Sequence, residues 1–530
     1  MKIIKYTRTL FLAGVFYLAG CSDFLDINDD PNNPTDAQLN QILPAAQFAL
    51  GYNLGGVTGG LSNAASTFVH QVVSFRVDQY AINGTYVNNT WNGMFANAMN
   101  NFEIMIHKAE AQGDRRYAGV AKVCKAYGFS VMVDLFGDIP FAEALQGADN
   151  EAPHYEDDAA VYAACIALLE DAKLDLAATS GLTPGADDIF YNGDINRWRR
   201  LANTLQLKLY NNIRKVQDVT AQVAALRAAN DLMGPNDGFE MAYGTGIQPP
   251  NRNPSYLAEY AGSGRESFVS RWFYDIMMGN NANILTGVAD PRVPYYFYHQ
   301  KPTAAPDPSA NYQDGRFVTR QFGTTLPNNN VTNVQTLHGL YPIGGRYDDG
   351  LGGAGNSNSG PGNVGQRLFP YFNRKFIEAE FLLDELGDVA GARAELELAV
   401  RAAFAKVNTI AAAVPSSVQT VPQIDAGTIT TYVNAVLAEY DAAPTQDRQL
   451  EIVMTQKWIA NYGYGIDSYT DYRRTGYPVL FDVETDNDPT TISAFPFALR
   501  FPYRDLDLDT NPNAPDQPNI YSTKVFWQEF

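Results

Sequence analysis

Cysteine is nearly missing from this chain: 530 residues hold three, at positions 21, 124 and 165. So few thiols exclude a disulfide scaffold and any cysteine-based zinc site. Long apolar runs are missing as well. The one candidate, Leu10 to Ala19, is about half of what a bilayer-spanning helix needs. Positive charge is in short supply, with 38 Lys and Arg against 58 Asp and Glu. That balance excludes nucleic acid and anionic lipid head groups as partners. The five histidines (70, 107, 154, 299 and 338) are scattered, so no metal cluster is visible and no cofactor is implied. Nucleophile elbows, phosphate loops and paired-histidine zinc motifs do not occur. Gly350, Gly352 and Gly355 match GxGxxG, yet the match lies in a Gly/Asn/Ser run that offers no strand before it and no helix after it. Asp505, Asp507 and Asp509 alternate as in a calcium loop, but Thr510 stands where the turn needs glycine. A solvated acidic loop is the expectation there.

What is present begins with an address. Lys2, Lys5 and Arg8 precede the apolar run, and small residues close it at Leu18-Ala19-Gly20-Cys21. This is the layout of an export signal. Its end resembles a bacterial lipobox, which implies that Cys21 is lipidated and becomes the mature N-terminus. Each acyl CH₂ buried in a membrane contributes about 0.8 kcal/mol, so such chains hold a protein at the surface. Residues 1–20 therefore read as a lipoprotein signal peptide. Residues 21–35, acidic and turn-rich around Pro31 and Pro34, read as a flexible tether. Losing the signal removes three positive charges and leaves 35 basic against 58 acidic residues, a formal charge of −23.

From Thr35 onward helical spacing dominates. Tyr117, Val120, Cys124, Tyr127, Val131 and Leu135 share one helix face, as do Trp198, Leu201, Leu205, Leu209 and Ile213 behind a capping Asp194. Val389, Ala392, Leu396, Ala399, Ala403 and Val407 form a third stripe, and 156–178, 371–386, 427–439 and 446–462 read alike. Cys124 and Cys165 lie on such stripes and are expected as buried free thiols. Gly113-Asp114 and Gly387-Asp388 each separate two helical patterns. A left-handed glycine closes one helix and an aspartate caps the next, which makes a tight antiparallel hairpin. Asp134 and Asp138, flanking FG in DLFGDIP, fit helix-end capping and turn formation. In 455–478, Trp458 and Tyr462 lie one turn apart, and Asp471, Arg473 and Arg474 follow on a short helix. An arginine there is expected to fork onto Asp471 or onto a carboxylate across the core.

Residues 233–370 and 480–520 lose this spacing and fill with Pro, Gly, Asn and aromatics. Aromatics reach 12% of the chain, with 31 Tyr and 29 Phe, while charged residues are only 18%. Flat rings beside uncharged hydrogen-bonding groups suit a sugar, whose C–H face stacks on a ring while its hydroxyls seek polar partners. The first candidate stretch is 76–91, with Arg76, Asp78, Tyr80 and Tyr86 as ligand contacts and Trp91 expected in the core. The second is 271–298, with Trp272, Tyr274 and Tyr296, and Tyr341 adds a further candidate.

Several segments taken in order resemble the SusD/RagB family of surface nutrient-binding lipoproteins. They are CSDFLDINDDPNNPT after the lipobox, FGDIPFAEAL at 136–145, RWRRLANTLQLKLYNNIR at 197–214, ADPRVPYYF at 289–297, PYFNRKFIEAEFLLDEL at 370–386 and the 455–478 segment. The resemblance implies a mainly α fold, with a TPR-like helical-hairpin scaffold and a second, irregular, loop-rich lobe. The hairpins would occupy mainly 36–232 and 370–478, the irregular lobe mainly 233–369 and 479–530. It further implies a lipid-anchored protein on the exterior of the outer membrane. Such a protein binds oligosaccharide and passes it to a SusC-like TonB-dependent transporter. A peptide-binding lid of the RagB type is the alternative. A tethered glycoside hydrolase would need two carboxylates about 5–10 Å apart in one cleft, and no motif supplies them, so a non-enzymatic role is expected. The shared motifs are structural and carry no ligand-contacting residue onto this chain.

Overall fold

The apolar stripes become helices close to the bounds their spacing predicts. In a computed structural model, residues 37–74, 80–262, 265–301, 312–322, 334–480 and 496–529 are described. Cys21, the signal peptide and the acidic tether lie outside them. The first part of the chain runs α1 (Leu39–Leu54), α2 (Gly60–Phe68), β1 (Val72–Ser74), α3 (Gly84–Asn92), α4 (Asn100–Gln112), α5 (Arg115–Phe136), α6 (Asp158–Leu176), α7 (Ile195–Ile213) and α8 (Thr220–Ala228). A π-helical stretch, Gly93–Met99, joins α3 to α4 without a break. The middle holds β2 (Phe239–Met241), β3 (Ser267–Val269), α9 (Arg271–Met278), β4 (Phe297–Tyr298), β5 (Tyr312–Asp314), β6 (Phe317–Thr319), β7 (Leu337–His338) and β8 (Gln366–Phe369). Helices then return as α10 (Tyr371–Asp384), α11 (Val389–Ala412), α12 (Ala426–Ala442), α13 (Gln446–Ala460), α14 (Gly465–Thr475) and α15 (Asp505–Thr510). The strands form two-stranded antiparallel ribbons, β1–β3, β2–β8, β4–β7 and β5–β6.

Neighbouring helices stack as antiparallel pairs: α4 on α5, α5 on α6, α6 on α7, α10 on α11 and α12 on α13. Gly113 ends α4 with φ of 80°, and Gly387 turns between α10 and α11 with φ of 62°. Both take the left-handed conformation that the hairpin reading requires. Asp388 caps α11 by accepting from the Gly391 N–H at 2.9 Å, and Asp194 caps α7 through the N–H groups of Asn196 and Arg197. Asp114 departs from its expected role. Its carboxylate makes no cap bond to α5 and instead accepts from the Leu182 N–H at 2.7 Å, tying a distant loop to the hairpin.

Helix α5 is the axis of the core, with nearly every residue from Tyr117 to Phe136 buried. Gly119 lets α6 approach, since a Cβ there would stand 2.8 Å from Leu176 Cγ. Cys124 and Cys165 are both buried and free. Asp134 is also buried, so it is an interior acceptor for the Trp527 indole N–H at 3.1 Å rather than a helix-end cap. Burial pushes its carboxyl up to about 6. Asp138 does serve a helix end, accepting from the Asp158 N–H that opens α6.

The 455–478 segment is a packing knot. Arg474 forks onto Glu380 of α10, donating to Oε1 at 2.5 Å and to Oε2 at 3.1 Å, and also donates to Asp471 at 2.6 Å. Arg473 spends its guanidinium on the backbone oxygens of Tyr469, Leu499 and Asp134. Burial opposes the charge on Glu380, but Arg474 and Arg214 outweigh it and hold the carboxyl well below the usual range. The acidic group Glu110, Asp171 and Asp175 is likewise an ion-pair cluster. The Lys122 ammonium occupies its centre, 2.7 Å from Glu110 and from Asp175.

Candidate functional site

A cavity of about 990 Å³ opens where the stack of helices meets the irregular middle of the chain. Four separated segments build its wall. The end of α1 contributes Tyr52 and Asn53, and the glycine-rich link to α2 contributes Gly55, Gly56, Thr58 and Gly59. Helix α3 and its approach add Asn83, Thr85, Tyr86, Asn89 and Thr90. The middle region adds Tyr243, Ser255 and Glu266, and β8 closes the wall with Gln366.

Local chemistry explains why these side chains point where they do. Asn83 caps α3 by accepting from the Tyr86 N–H at 3.1 Å, which sets the first turn carrying Thr85 and Tyr86. The Asn63 amide donates to the Val57 carbonyl at 2.6 Å and pins the glycine-rich link against α2. Ser255, held at a helix start by the Asn253 side chain, receives the Thr58 N–H at 3.3 Å. Gly56 must stay small. A Cβ there would lie 2.9 Å from Ser255 Oγ and 3.1 Å from Gln366 Oε1.

Gln366 carries the clearest chemical signal. It is only 7% exposed, lines the cavity, and its amide Nε2 has no hydrogen-bond partner. A buried donor left unpaired costs about 1–3 kcal/mol, so such a group marks a place where a ligand acceptor fits. Among the described lining residues no Lys, Arg or His occurs, and the polar groups are mostly neutral amides and hydroxyls. Thr85 also borders a second hollow of about 460 Å³ with Asn88, Asp505, Leu506, Leu508 and Asp509, so the two spaces meet at α3. The expected acidic loop at 505–509 is here the helix α15. Its Asp505 accepts from Thr85 Oγ1 at 2.6 Å and its Asp507 from the Tyr155 hydroxyl at 2.5 Å.

Of the residues expected to touch ligand, Tyr86 lines the cavity. Arg76 and Asp78 lie outside the described residues. The others are not brought to it. Tyr80 is buried at 5% exposure, its hydroxyl 2.8 Å from His70 Nε2 and its ring against Phe322 and Phe497. Tyr274 is packed against Phe297 and Phe317 and donates to Asp314 at 3.1 Å. Tyr296 and Tyr341 stack on each other, centroids 4.5 Å apart and 3° from parallel, and both are fully buried. Their ring faces are occupied by protein, which removes them as open platforms in this structure. Trp272 is half-buried, donates its indole N–H to the Val479 carbonyl at 3.2 Å, and borders a crevice of only about 10 Å³. Trp91 is in the core, as its helical position implies.

The sequence reading passed over Tyr52, Asn53, Tyr243 and Gln366. One signal was available for the first two. The stretch GYNLGGVTGG puts five glycines in ten residues at the end of a helical pattern, with a tyrosine and an asparagine beside them. Tyr243 and Gln366 sit in ordinary-looking contexts.

A family model described as starch-binding and associating with the outer membrane, SusD-like, matches residues 31–503. Among solved structures, a chitin-binding protein aligns with a TM-score of 0.68 at 20% identity, over 93% of this chain and 100% of its own. A SusD/RagB family protein from Bacteroides thetaiotaomicron aligns with a TM-score of 0.68 at 19% identity, over 93% and 99%. A SusD homologue from Bacteroides fragilis aligns at 0.66 and 19%, over 93% and 100%. At these identities the likeness is one of fold. No curated protein matches the chain.

Proposed function

The chain belongs to the SusD-like family, described as starch-binding and associating with the outer membrane, and we propose that it is a cell-surface oligosaccharide-binding lipoprotein serving a SusC-like TonB-dependent transporter. One observation carries the reading: a large cavity walled by tyrosine rings and neutral amides, with the buried Gln366 donor unpaired within it. A pyranose offers an apolar C–H face to Tyr86 or Tyr243 and hydroxyls to Asn83, Asn89, Ser255 and Gln366. With Glu266 as the one charged group and no Lys, Arg or His in the described wall, a peptide's carboxyl terminus and acidic side chains go uncomplemented, which favours glycan over peptide. The role is binding without turnover, in keeping with a described wall that holds a single carboxylate, Glu266, among amides, hydroxyls and rings.

Anchorage is proposed through Cys21. No described helix is long and apolar enough to cross a membrane, and acyl chains on a mature N-terminal cysteine would hold the protein at the outer membrane. Calorimetric titration with the maltooligosaccharide and chitooligosaccharide series tests the cavity. Saturable binding that weakens in Gln366→Leu, with no new reducing ends after prolonged incubation, is the expected result. Binding unaltered by cavity substitutions would place the ligand elsewhere, and release of reducing ends would make the protein a hydrolase. For the anchor, Cys21→Ser should move the protein from the membrane fraction to the soluble fraction. Retention of Cys21→Ser in the membrane fraction of cells lacking the transporter would refute it.

A further inference from the structure

Phe48 and Tyr52 are the two aromatic side chains that stand clearly exposed among the described residues, at 50% and 54%. Single exposed apolar residues are ordinary and need no explanation. These two differ in three ways. They lie one turn apart on α1, and their rings run 21° from parallel with centroids 5.7 Å apart. Tyr52 is also part of the cavity wall. And α1, from Leu39 to Leu54, carries no charged residue at all, unusual for a helix with an exposed face.

We propose that Phe48 and Tyr52 form an outer subsite, where a glycan leaving the cavity lays its next sugar rings along α1. The proposal rests on the cavity being the glycan site, and it adds where the chain goes and how long a chain the protein prefers. The i, i+4 spacing on a helix stacks the two rings one after the other along its axis, centroids 5.7 Å apart, an advance comparable to that of one pyranose along an extended oligosaccharide. Tyr52 is common to cavity and platform, so a sugar bound inside has its neighbour delivered onto the first of the two rings. Each ring turns one face toward the other and, about half exposed, keeps apolar surface for a C–H face, and the Tyr52 hydroxyl adds a polar handle at the junction. The uncharged helix selects neither acidic nor basic sugars, so the subsite reads ring shape and chain length. A partner protein as the occupant is the rival, and the test below separates the two.

The experiment compares maltose with maltoheptaose, and chitobiose with chitohexaose, by titration of the wild type, Phe48→Ala and Gln366→Leu. Alanine on an exposed helical position preserves the helix, and the melting temperature of Phe48→Ala checks this directly. In the wild type the longer sugar of the recognised series should bind about threefold to tenfold tighter than the disaccharide, the value of one good ring contact. Phe48→Ala should remove that advantage and leave disaccharide affinity unchanged, whereas Gln366→Leu should weaken both lengths together. If Phe48→Ala matches the wild type at both lengths while Gln366→Leu weakens both, the outer subsite is wrong and the cavity reading stands. Loss of co-purification with the outer-membrane transporter in Phe48→Ala, at unchanged glycan affinity, makes the pair a protein contact and also overturns the subsite. Failure of the wild type to bind either series overturns the cavity reading and the subsite with it.

Discussion

The stack of Tyr341, Tyr296 and Tyr462 and the rim of Tyr52, Tyr86 and Tyr243 use the same side chain for opposite ends. In the stack, Tyr296 lies 9° from parallel to Tyr462 at 5.5 Å, Phe273 continues on the far side of Tyr462, and the Arg367 guanidinium sits 4.1 Å from the Tyr341 ring. Two of the three hydroxyls are bonded to protein as well. That of Tyr341 donates to the Ala460 carbonyl at 2.8 Å, and that of Tyr462 meets His338 Nδ1 at 2.6 Å. Around the rim, Tyr52 is more than half exposed, and Tyr86 and Tyr243 are half-buried beside neutral amides. The difference lies in what covers the second face of each ring. Where arginines and other aromatics supply it, the ring is structure; where the ring borders the cavity, it is within reach of a ligand.

Truncating a ring should therefore cost stability in one region and affinity in the other. The largest effect is expected from Tyr296→Ala. It leaves a ring-sized void between Tyr341 and Tyr462 and should lower unfolding free energy by about 3–5 kcal/mol, measured by denaturant titration. A loss below about 1 kcal/mol would mean that the stack is not a supporting element of the core.

The next prediction tests how dry the surroundings of the stack are. Glu259, whose charge bears on Tyr462, is fully buried, and burial pushes its carboxyl from 4.5 up to about 8 despite the nearby Arg265. The folded protein therefore holds a proton that the unfolded chain releases near pH 4.5. Stability from this group is complete below that pH and is lost as pH rises toward 8. Glu259→Gln cannot ionise. It should become more stable than the wild type at high pH, by on the order of 1 kcal/mol or more at pH 9, with a smaller difference at pH 5. Parallel stability–pH curves for the two proteins would show that the site is wet.

In the cavity the effects should appear in affinity. Gln366→Leu removes the unpaired donor and should weaken glycan binding by about 1 kcal/mol while leaving the melting temperature unchanged or higher. A stability loss without an affinity loss would return Gln366 to the structural side of the comparison. Tyr86→Ala should show the smallest change. Its loss of binding is about 0.5–1.5 kcal/mol, and its stability cost is modest because the side chain is only half-buried. An unfolding cost as large as that of Tyr296→Ala would erase the distinction between the two regions.

Much of the fold was legible because helix-forming patterns are local. A stripe at spacings of three and four reports its own buried face, as in α5, α7 and α11. The left-handed glycines at 113 and 387 were readable for the same reason, since a turn of two residues has few ways to be built. The forked pairing of Arg474 was foreseen as chemistry, although its partner Glu380, 94 residues away, was not named. The site was harder to see. Tyr80, Tyr274, Tyr296 and Tyr341 occur among polar and irregular neighbours just as Tyr86 does, and nothing in the local sequence says which ring face is covered.

The sequence by itself determined the helical-hairpin class, the caps at Asp194 and Asp388, the burial of Trp198, Trp458 and both interior cysteines, and the family. Each of these depends on residues within a few turns of one another or on an ordered series of segments. Only the tertiary structure decided the cavity. Its wall draws on residues near 52–63, 81–90, 243–266 and 366, stretches that no local rule brings together. An open ring face is likewise a property of what the rest of the chain leaves uncovered. Tyr52 is exposed and Tyr296 is buried because the helices and ribbons packed around them end where they do, and that is settled by the packing of the whole chain.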